Sequence, residues 1–336
     1  GSGVDVTASL WQDLSLGGYG SARVAYADSL RDQARHHVEL ARRDAVLRAT
    51  IAWVDARYAR DLLEIRKQSE VAAGELLRIA EARVHAGTAP PSEVSLAQSL
   101  VGSAQAAVLQ AEGLVIVADG DLRYALNYPA DSSLSPEGDL SKTDDREIDE
   151  TRAIQLAQDQ HPLVQLARHS VVVAQKQAEV SAAYGRPFLG VGISYSREAS
   201  GDRIVGGAVS IPLPVVSPTV LDTSLARGAA AVGQARVADV QAQMAREVRQ
   251  AVHERHHARE VRETLLKGAV EPGRQAMKEV TRRYEAGAVD LSIVLSARRE
   301  LLSAEEGFWA AAADVQRADF RLEHALGGSL PRKDVP

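Results

Sequence analysis

Cysteine is absent from the 336 residues, which excludes disulfides, thiolate metal sites and cysteine nucleophiles. Aromatic residues make up only 4% of the chain, so it lacks the bulky side chains that fill ordinary globular cores. No uninterrupted run of about 18 apolar residues occurs, and the sequence therefore predicts no transmembrane helix. The formal net charge of −6 provides no basic field that would favour nucleic acid as a partner. Phosphate-binding loops, HExxH and nucleophile-elbow motifs are missing too, which argues against an enzyme.

What the chain does contain is alanine, valine and leucine mixed with arginine, glutamate and glutamine, a composition typical of long packed helices. Residues 21–86 hold no proline, and a helix of that length would extend about 100 Å. The stretch Gly87–Pro91 should end it, and Ser92 with Glu93 should cap the next helix. The predicted helices are 21–86, 92–127, 150–160, 162–184, 219–286 with a kink at Pro272-Gly273, and 291–326.

Three segments, 4–14, 187–196 and 204–213, alternate in the manner of β-strands. In the second and third, one face is apolar while glycine, alanine and serine occupy the other. Two strands of about ten residues with this pattern suit a hairpin of a transmembrane β-barrel, although a soluble hairpin packed on helices is the alternative. The predicted lipid-facing residues are Leu189, Val191, Ile193, Tyr195, Val205, Val209 and Ile211.

The chain also repeats itself. The motif Arg-x-x-Ala-Gly at 83–87 recurs at 283–287, and the same offset of 200 residues pairs Asp119 with Asp319 without a gap. The stretch from about 150 to 203 has no earlier counterpart, so the first repeat is expected to lack its opening quarter. The predicted repeats span residues 1–147 and 148–336.

Two helical hairpins with glycine turns, a β-hairpin before a long helix and a twofold repeat together resemble the TolC-like outer-membrane factors. The resembling segments are Arg83 to Leu126, His161-Pro162, Arg186-Pro187 through Pro214, and Arg283 through Leu326-Gly327. The phrase Val209-Ser210-Ile211-Pro212-Leu213-Pro214 is similar to the heavy-metal efflux branch of that family.

The resemblance implies a mainly α protein, in which two long antiparallel helical hairpins form a coiled-coil α-barrel and short strands form part of a transmembrane β-barrel. It implies a homotrimer in the outer membrane, with the helices in the periplasm. Such a protein is an exit duct without cofactors. It receives substrates from a periplasmic adaptor and an inner-membrane pump, and its barrel is surrounded by outer-membrane lipid. The adaptor-docking tips would include Gly87, Pro90, Glu93, Gly287 and Asp290.

The resemblance is incomplete, and other interpretations stay open. Three strands per chain would give nine per trimer, whereas bacterial single-chain barrels have even numbers. A soluble coiled-coil scaffold without channel activity is the principal alternative. His253 and His257 are spaced i,i+4 and could hold a metal on one helix face, although a solvated face is the more ordinary interpretation.

Overall fold

The computed structural model describes residues 5–14, 17–142, 147–186, 189–211 and 219–328. Helices dominate this part of the chain, and a small antiparallel sheet accompanies them, as the sequence predicts. The elements are β1 (Val6–Leu14), α1 (Tyr19–His85), α2 (Ser92–Leu126), α3 (Glu150–Gln160), α4 (Pro162–Tyr184), β2 (Leu189–Arg197), β3 (Arg203–Ser210), α5 (Thr219–Leu265), a π-helical turn (Leu266–Val270), α6 (Glu271–Glu285) and α7 (Leu291–Leu326).

The chain divides into two compact units, and α1, α3 and α5 each contribute residues to both of them. The first unit comprises Gly1–Ala41 and Gln158–Gln243. It contains the sheet, with strand order β1-β2-β3 and both pairs antiparallel. It also contains the contact between α1 and α4, where Gln33 Nε2 donates a hydrogen bond of 2.9 Å to Ser170 Oγ.

The second unit comprises Arg42–Ala157 and Met244–Pro336, and its core consists mainly of alanine and valine. Small side chains let helices lie close together, which compensates for the scarcity of aromatic residues. The segment after α2 contributes to this core: Leu140 is fully buried beside Val54, Ala312 and Ala313. The polar composition of residues 131–145 predicts a linker, and its described part, residues 131–142, is packed against the core at Leu140.

Proline and glycine place most helix ends where the sequence predicts them. Pro162 begins α4, where the missing backbone donor costs nothing, and His161 accepts a hydrogen bond of 3.1 Å from the Leu163 backbone N–H. One expectation is wrong: Ser92 does not cap α2. Pro91 occupies the cap position without a side-chain hydrogen bond, and Ser92 is already the first helical residue.

The kink expected at Pro272-Gly273 takes a different form. The helix widens into the π-helical turn Leu266–Val270, and Pro272 then lies at the beginning of α6. A proline ring clashes with the carbonyl four residues earlier, which here belongs to Gly268 inside the widened turn. The wider turn relieves that clash without ending the helix.

One helix bears on the prediction that the chain has no transmembrane helix, without overturning it. In the described part of the chain, α2 alone is long and apolar enough to cross a membrane by length and composition, and only 11% of its most apolar window is buried. A single helix of this kind is weak evidence for a membrane span. The exposed apolar residues of α2 are Leu96, Leu109, Leu114, Ile116, Val117, Tyr124 and Leu126.

Candidate functional site: the sheet faces and the hairpin tips

The sheet has one exposed apolar face. Directly opposed residues of antiparallel strands share a face, and the register joins Leu10 to Ile193 and Val191 to Val209. Ile193 is 61% exposed and Val209 69%. Of the predicted lipid-facing set, Leu189 is half-buried, and the rest are exposed: Val191, Ile193, Tyr195, Val205, Val209 and Ile211. Their alternation is as predicted, and their contact with lipid stays a prediction. The predicted strand residues 187–188 and 212–213 lie outside the described part.

The opposite face carries mainly small and polar side chains, and Trp11 and Ile204 are its two large residues. Thr7 and Ser196 are paired across it, with their hydroxyl oxygens 3.1 Å apart. Gly190 and Gly192 are buried there, beneath side chains of β1. A Cβ atom placed on Gly192 would lie 2.7 Å from the indole ring of Trp11, so this glycine makes room for the ring. Sequence reasoning overlooked Trp11, although the alternation of β1 already places it on the face of Thr7 and Ser9.

The two hairpin tips have the same backbone geometry. Gly87 and Gly287 adopt φ values of +70° and +72°, which glycine tolerates without the Cβ penalty. At the first tip, Gly87 N–H bonds Val84 O and Thr88 N–H bonds Arg83 O. The second tip repeats both bonds with every residue number raised by 200. Each helix therefore ends in a Schellman motif, which satisfies its last carbonyl groups.

Behind the glycine turns, the tips are joined by a buried polar contact. The Tyr284 hydroxyl donates a hydrogen bond of 2.8 Å to Glu93 Oε2. Arg83 Nη1 donates to the Tyr284 carbonyl at 3.2 Å and lies 3.9 Å from Glu93 Oε2, while the guanidinium carbon is 4.4 Å from the Tyr284 ring centroid. Leu76, Ala80, Ala97, Leu291 and Val294 surround the ring.

Burial sets the electrostatics of this contact. It raises the pKa of Tyr284 to about 12, because a buried phenolate loses hydration, and the adjacent Glu93 carboxylate adds to the rise. The Arg83 guanidinium opposes it. Tyr284 is thus a neutral donor at physiological pH, which suits a hydrogen bond to a carboxylate.

The predicted docking residues fall into two groups. Gly87, Pro90, Gly287 and Asp290 are exposed at the tips. Glu93 is not: only 7% of it is exposed, and its carboxylate faces Tyr284. In this structure Glu93 joins the two tips and does not form part of their exposed surface.

The histidine candidates for a metal lie apart from any ligand cluster. His253 and His257 are both exposed on α5. Within the described ranges, no group of three or more histidine, aspartate or glutamate side chains is arranged to hold a metal ion. The solvated-face interpretation of these histidines fits their exposure.

Long antiparallel helices with glycine tips, together with a sheet that is apolar on one face and small and polar on the other, define the class of helical outer-membrane channels. The chain belongs to the outer membrane efflux protein family, whose sequence profile matches residues 2–128 and 153–328. It is therefore an outer-membrane efflux duct component, and the family is one of transporters and not of enzymes.

Solved structures share this fold at low sequence identity. The outer membrane protein VceC from Vibrio cholerae is 18% identical with a TM-score of 0.78, over 97% of this chain and 80% of VceC. The MtrE outer-membrane channel from Neisseria gonorrhoeae, in its open state, is 17% identical with a TM-score of 0.80, over 98% and 81%. CusC is 14% identical with a TM-score of 0.81, over 97% and 78%. A comparison with curated protein sequences finds no match.

Proposed function

We propose that this chain forms the exit duct of a tripartite efflux system as a homotrimer. In this proposal, the sheet lies in the outer membrane and the helical hairpins extend through the periplasm. Substrates enter from a periplasmic adaptor and an inner-membrane pump and leave to the outside.

The observation that carries the proposal is the sheet. Its exposed apolar face suits lipid, and the outer edges of β1 and β3 have no partner strand among the described residues. In a membrane every backbone polar group must be paired, so an open three-stranded sheet is viable only as part of a closed barrel. Further copies of the chain supply strands without any additional protein.

Helix α2 supports self-association independently. Its exposed apolar residues are not covered by any of the residues that the structure describes, and Gly102, Gly113 and Gly120 on the same helix have open space around them. A glycine in a helix interior costs about 1 kcal/mol relative to alanine, and no contact with the described residues explains the presence of these three glycines. Close approach of a neighbouring helix explains both features, because small residues allow backbones to pack closely.

The exposed tips are the proposed adaptor contact. Gly87 and Gly287 are poor positions for testing it, because any side chain would be strained at their positive φ. Ala286 is a better position, since it is exposed and has an ordinary helical φ of −77°. We expect Ala286→Trp to reduce adaptor capture. Ala276→Trp, at an exposed position of α6 that lies farther from the tip, should leave capture unchanged. Equal capture by both variants would contradict docking at this tip.

Heavy-metal cargo is the further expectation from the resemblance. It depends partly on residues 212–214, which lie outside the described part. Cells carrying the complete system should become sensitive to metal salts when this chain is deleted. Unchanged metal sensitivity combined with a new sensitivity to organic compounds would remove the heavy-metal assignment and keep the duct.

The mass and conductance of the detergent-extracted particle test the duct itself. We expect three copies per particle and a rise in bilayer conductance. Ile116→Glu, which puts a charge among the exposed apolar residues of α2, should shift particles toward monomer, whereas Gln68→Glu adds the same charge at an exposed position on α1 and should not. A monomer that is soluble without detergent and does not conduct would favour the coiled-coil scaffold instead.

A further inference from the structure

Trp11 is the largest side chain on the small, polar face of the sheet. It stands directly opposite Gly192, and the buried glycine lets the indole lie against the strand. The residue nevertheless remains 53% exposed. An aromatic surface is therefore presented to solvent on a face where most neighbours are glycine, alanine or serine.

A carboxylate accompanies the indole on the same face. Asp13 follows Trp11 by two residues, so both side chains project to the same side of β1. Asp13 stands opposite Gly190, and a Cβ atom on that glycine would lie 3.3 Å from Asp13 Oδ1. Each of the two side chains thus lies over a glycine of β2.

The charges on the three strands are divided between the two faces. Within β1, β2 and β3 as described, Asp13 is the one charged residue on the small face. Arg197 and Arg203 face each other on the apolar side. The small face therefore combines an exposed indole, one negative charge and no positive charge.

We propose that Trp11 and Asp13 form a transit site for positively charged solutes that carry an apolar or aromatic group. This inference rests on the proposed function, because it takes the small face as the wall of the duct. A cation is attracted to the negative face of an aromatic ring, and tryptophan provides the strongest such attraction among the side chains. Alternate residues of a strand are about 7 Å apart, so the Asp13 carboxylate lies close enough to the ring to add a screened Coulomb attraction for the same cation.

Trp11 also stabilises the sheet, because an aromatic residue opposite a glycine covers exposed backbone. A stability measurement alone would not separate this role from solute binding. The test therefore needs a readout that depends on the charge of the solute and on Asp13.

Tryptophan fluorescence supplies this readout, because the chain has only three tryptophans. In the variant Trp53→Phe/Trp309→Phe, the emission comes from Trp11 alone. We would compare quenching by N-methylpyridinium, iodide and neutral acrylamide in detergent-extracted protein. The measured quantity is the ratio of the quenching constants of N-methylpyridinium and iodide, each divided by that of acrylamide to correct for accessibility. We expect this ratio to be about two- to fivefold higher for Trp11 than for free N-acetyltryptophanamide. If the double variant misfolds, the difference between wild type and Trp11→Phe isolates the same signal.

Asp13 variants provide the controls. Asp13→Asn should remove most of the preference for the cation, and Asp13→Glu should retain it. Asp222→Asn removes a charge from α5 and should leave quenching unchanged. A cation preference equal to that of free indole, or one that survives Asp13→Asn, would overturn the site.

Conductance separates the failure of this site from the failure of the duct. In bilayers, N-methylpyridinium should reduce the current through the wild type, Trp11→Ala should relieve the reduction, and Trp53→Phe should not. A trimer that conducts without block or preferential quenching refutes the transit site and leaves the duct intact. Preferential quenching in a particle that does not conduct supports the cation site and refutes the duct.

Discussion

The Tyr284 hydroxyl lies 2.8 Å from Glu93 Oε2 and joins the two hairpin tips across 191 residues of sequence. The tyrosine is fully buried, and Glu93 is 7% exposed. The contact connects α6 to the first turn of α2 immediately behind the exposed glycine turns. This buried hydrogen bond, together with the one from Arg83 Nη1 to the Tyr284 carbonyl, therefore couples the position of one tip to that of the other.

Tyr284→Phe should loosen the tips, because it leaves the Glu93 carboxylate without its phenolic donor. An unsatisfied buried acceptor costs about 1–3 kcal/mol. We expect faster hydrogen exchange at residues 80–97 and 280–294, measured by mass spectrometry. Tyr124→Phe is the control, since Tyr124 is 87% exposed on α2 and should change nothing. Unchanged protection at both tips in Tyr284→Phe would contradict the coupling.

The same contact predicts instability at alkaline pH. Burial and the Glu93 carboxylate raise the pKa of Tyr284 from 10.0 to about 12 in the folded chain. Because the folded value lies above the unfolded one, the stabilisation is complete below pH 10 and is lost as the pH rises toward 12. Thermal unfolding followed by circular dichroism should show a steeper fall of Tm over this range in wild type than in Tyr284→Phe. Parallel curves for the two proteins would count against the shifted tyrosine.

Local signals explain how far sequence reasoning succeeded with the fold. The bounds of α4 match because Pro162 marks its beginning, and the end of α7 matches because Gly327 adopts a left-handed φ of +71°. Period-two alternation predicted which strand residues share a face. The π-helical turn at Leu266–Val270 was not predictable, because Pro272 marks a disturbance without specifying how the helix absorbs it.

Asp119 and Asp319, separated by 200 residues, both form ion pairs with arginines of a long helix that precedes them, α1 for Asp119 and α5 for Asp319. Arg60 binds Asp119 at 2.7 and 2.8 Å, and Arg255 binds Asp319 at 2.5 Å with Arg259 at 3.7 Å. The Arg255 side chain is 6% exposed and that of Arg60 24%. Arg60 also bonds the carbonyls of Ala56 and Leu134.

Removing the carboxylate should therefore cost more at the second position. Asp319→Asn leaves two arginines facing a neutral amide, one of them well buried, and we expect a loss of about 3 kcal/mol. Asp119→Asn should cost about 1–2 kcal/mol, because the Arg60 side chain is less buried than that of Arg255 and keeps more of its hydration. Chemical denaturation of both variants in one detergent measures the difference. A greater loss for Asp119→Asn would reverse this order.

The contact between α1 and α4 should weaken in acid. The rings of His36 and His169 lie 4.3 Å apart. The pKa of His36 is lowered, mainly by its partial burial and to a smaller extent by the charge of His169, whereas Asp32 acts in the opposite direction. Asp32 is itself engaged by Arg31 and Arg35. A lowered folded pKa means that the stabilisation is present above pH 6.5 and is lost as the pH falls.

Between pH 7 and 5, Tm should therefore decline less in His36→Gln than in wild type. His37→Gln is the matched control, because this neighbouring histidine is exposed and should leave the pH dependence unchanged. If His36→Gln retained the full decline, another group would have to account for it.

The candidate site was harder to predict than the fold. Exposed tip residues such as Pro90 and Asp290 follow from the turn signals around each glycine. The burial of Glu93 does not, because its partner Tyr284 is distant in sequence, and the pairing emerges only once the two hairpins lie side by side. Trp11 was overlooked for a similar reason: its importance depends on the register that places it opposite Gly192.

Because of that register, Gly192 is the glycine of the sheet at which an added side chain would make the closest contact. Gly192→Ala would put a methyl group 2.7 Å from the indole of Trp11, so the ring must move or the strands must separate. A methyl group on Gly207 of β3 would meet no atom within 4 Å, and Gly207→Ala should be neutral or stabilise by about 0.5 kcal/mol through reduced chain entropy. We expect Gly192→Ala to lower the unfolding temperature and to shift Trp11 emission in the variant where it is the only tryptophan. Similar behaviour of the two alanine variants would contradict the packing of Trp11 against Gly192. The arrangement of Trp11 and Asp13 proposed for the transit site depends on that packing and would be contradicted with it.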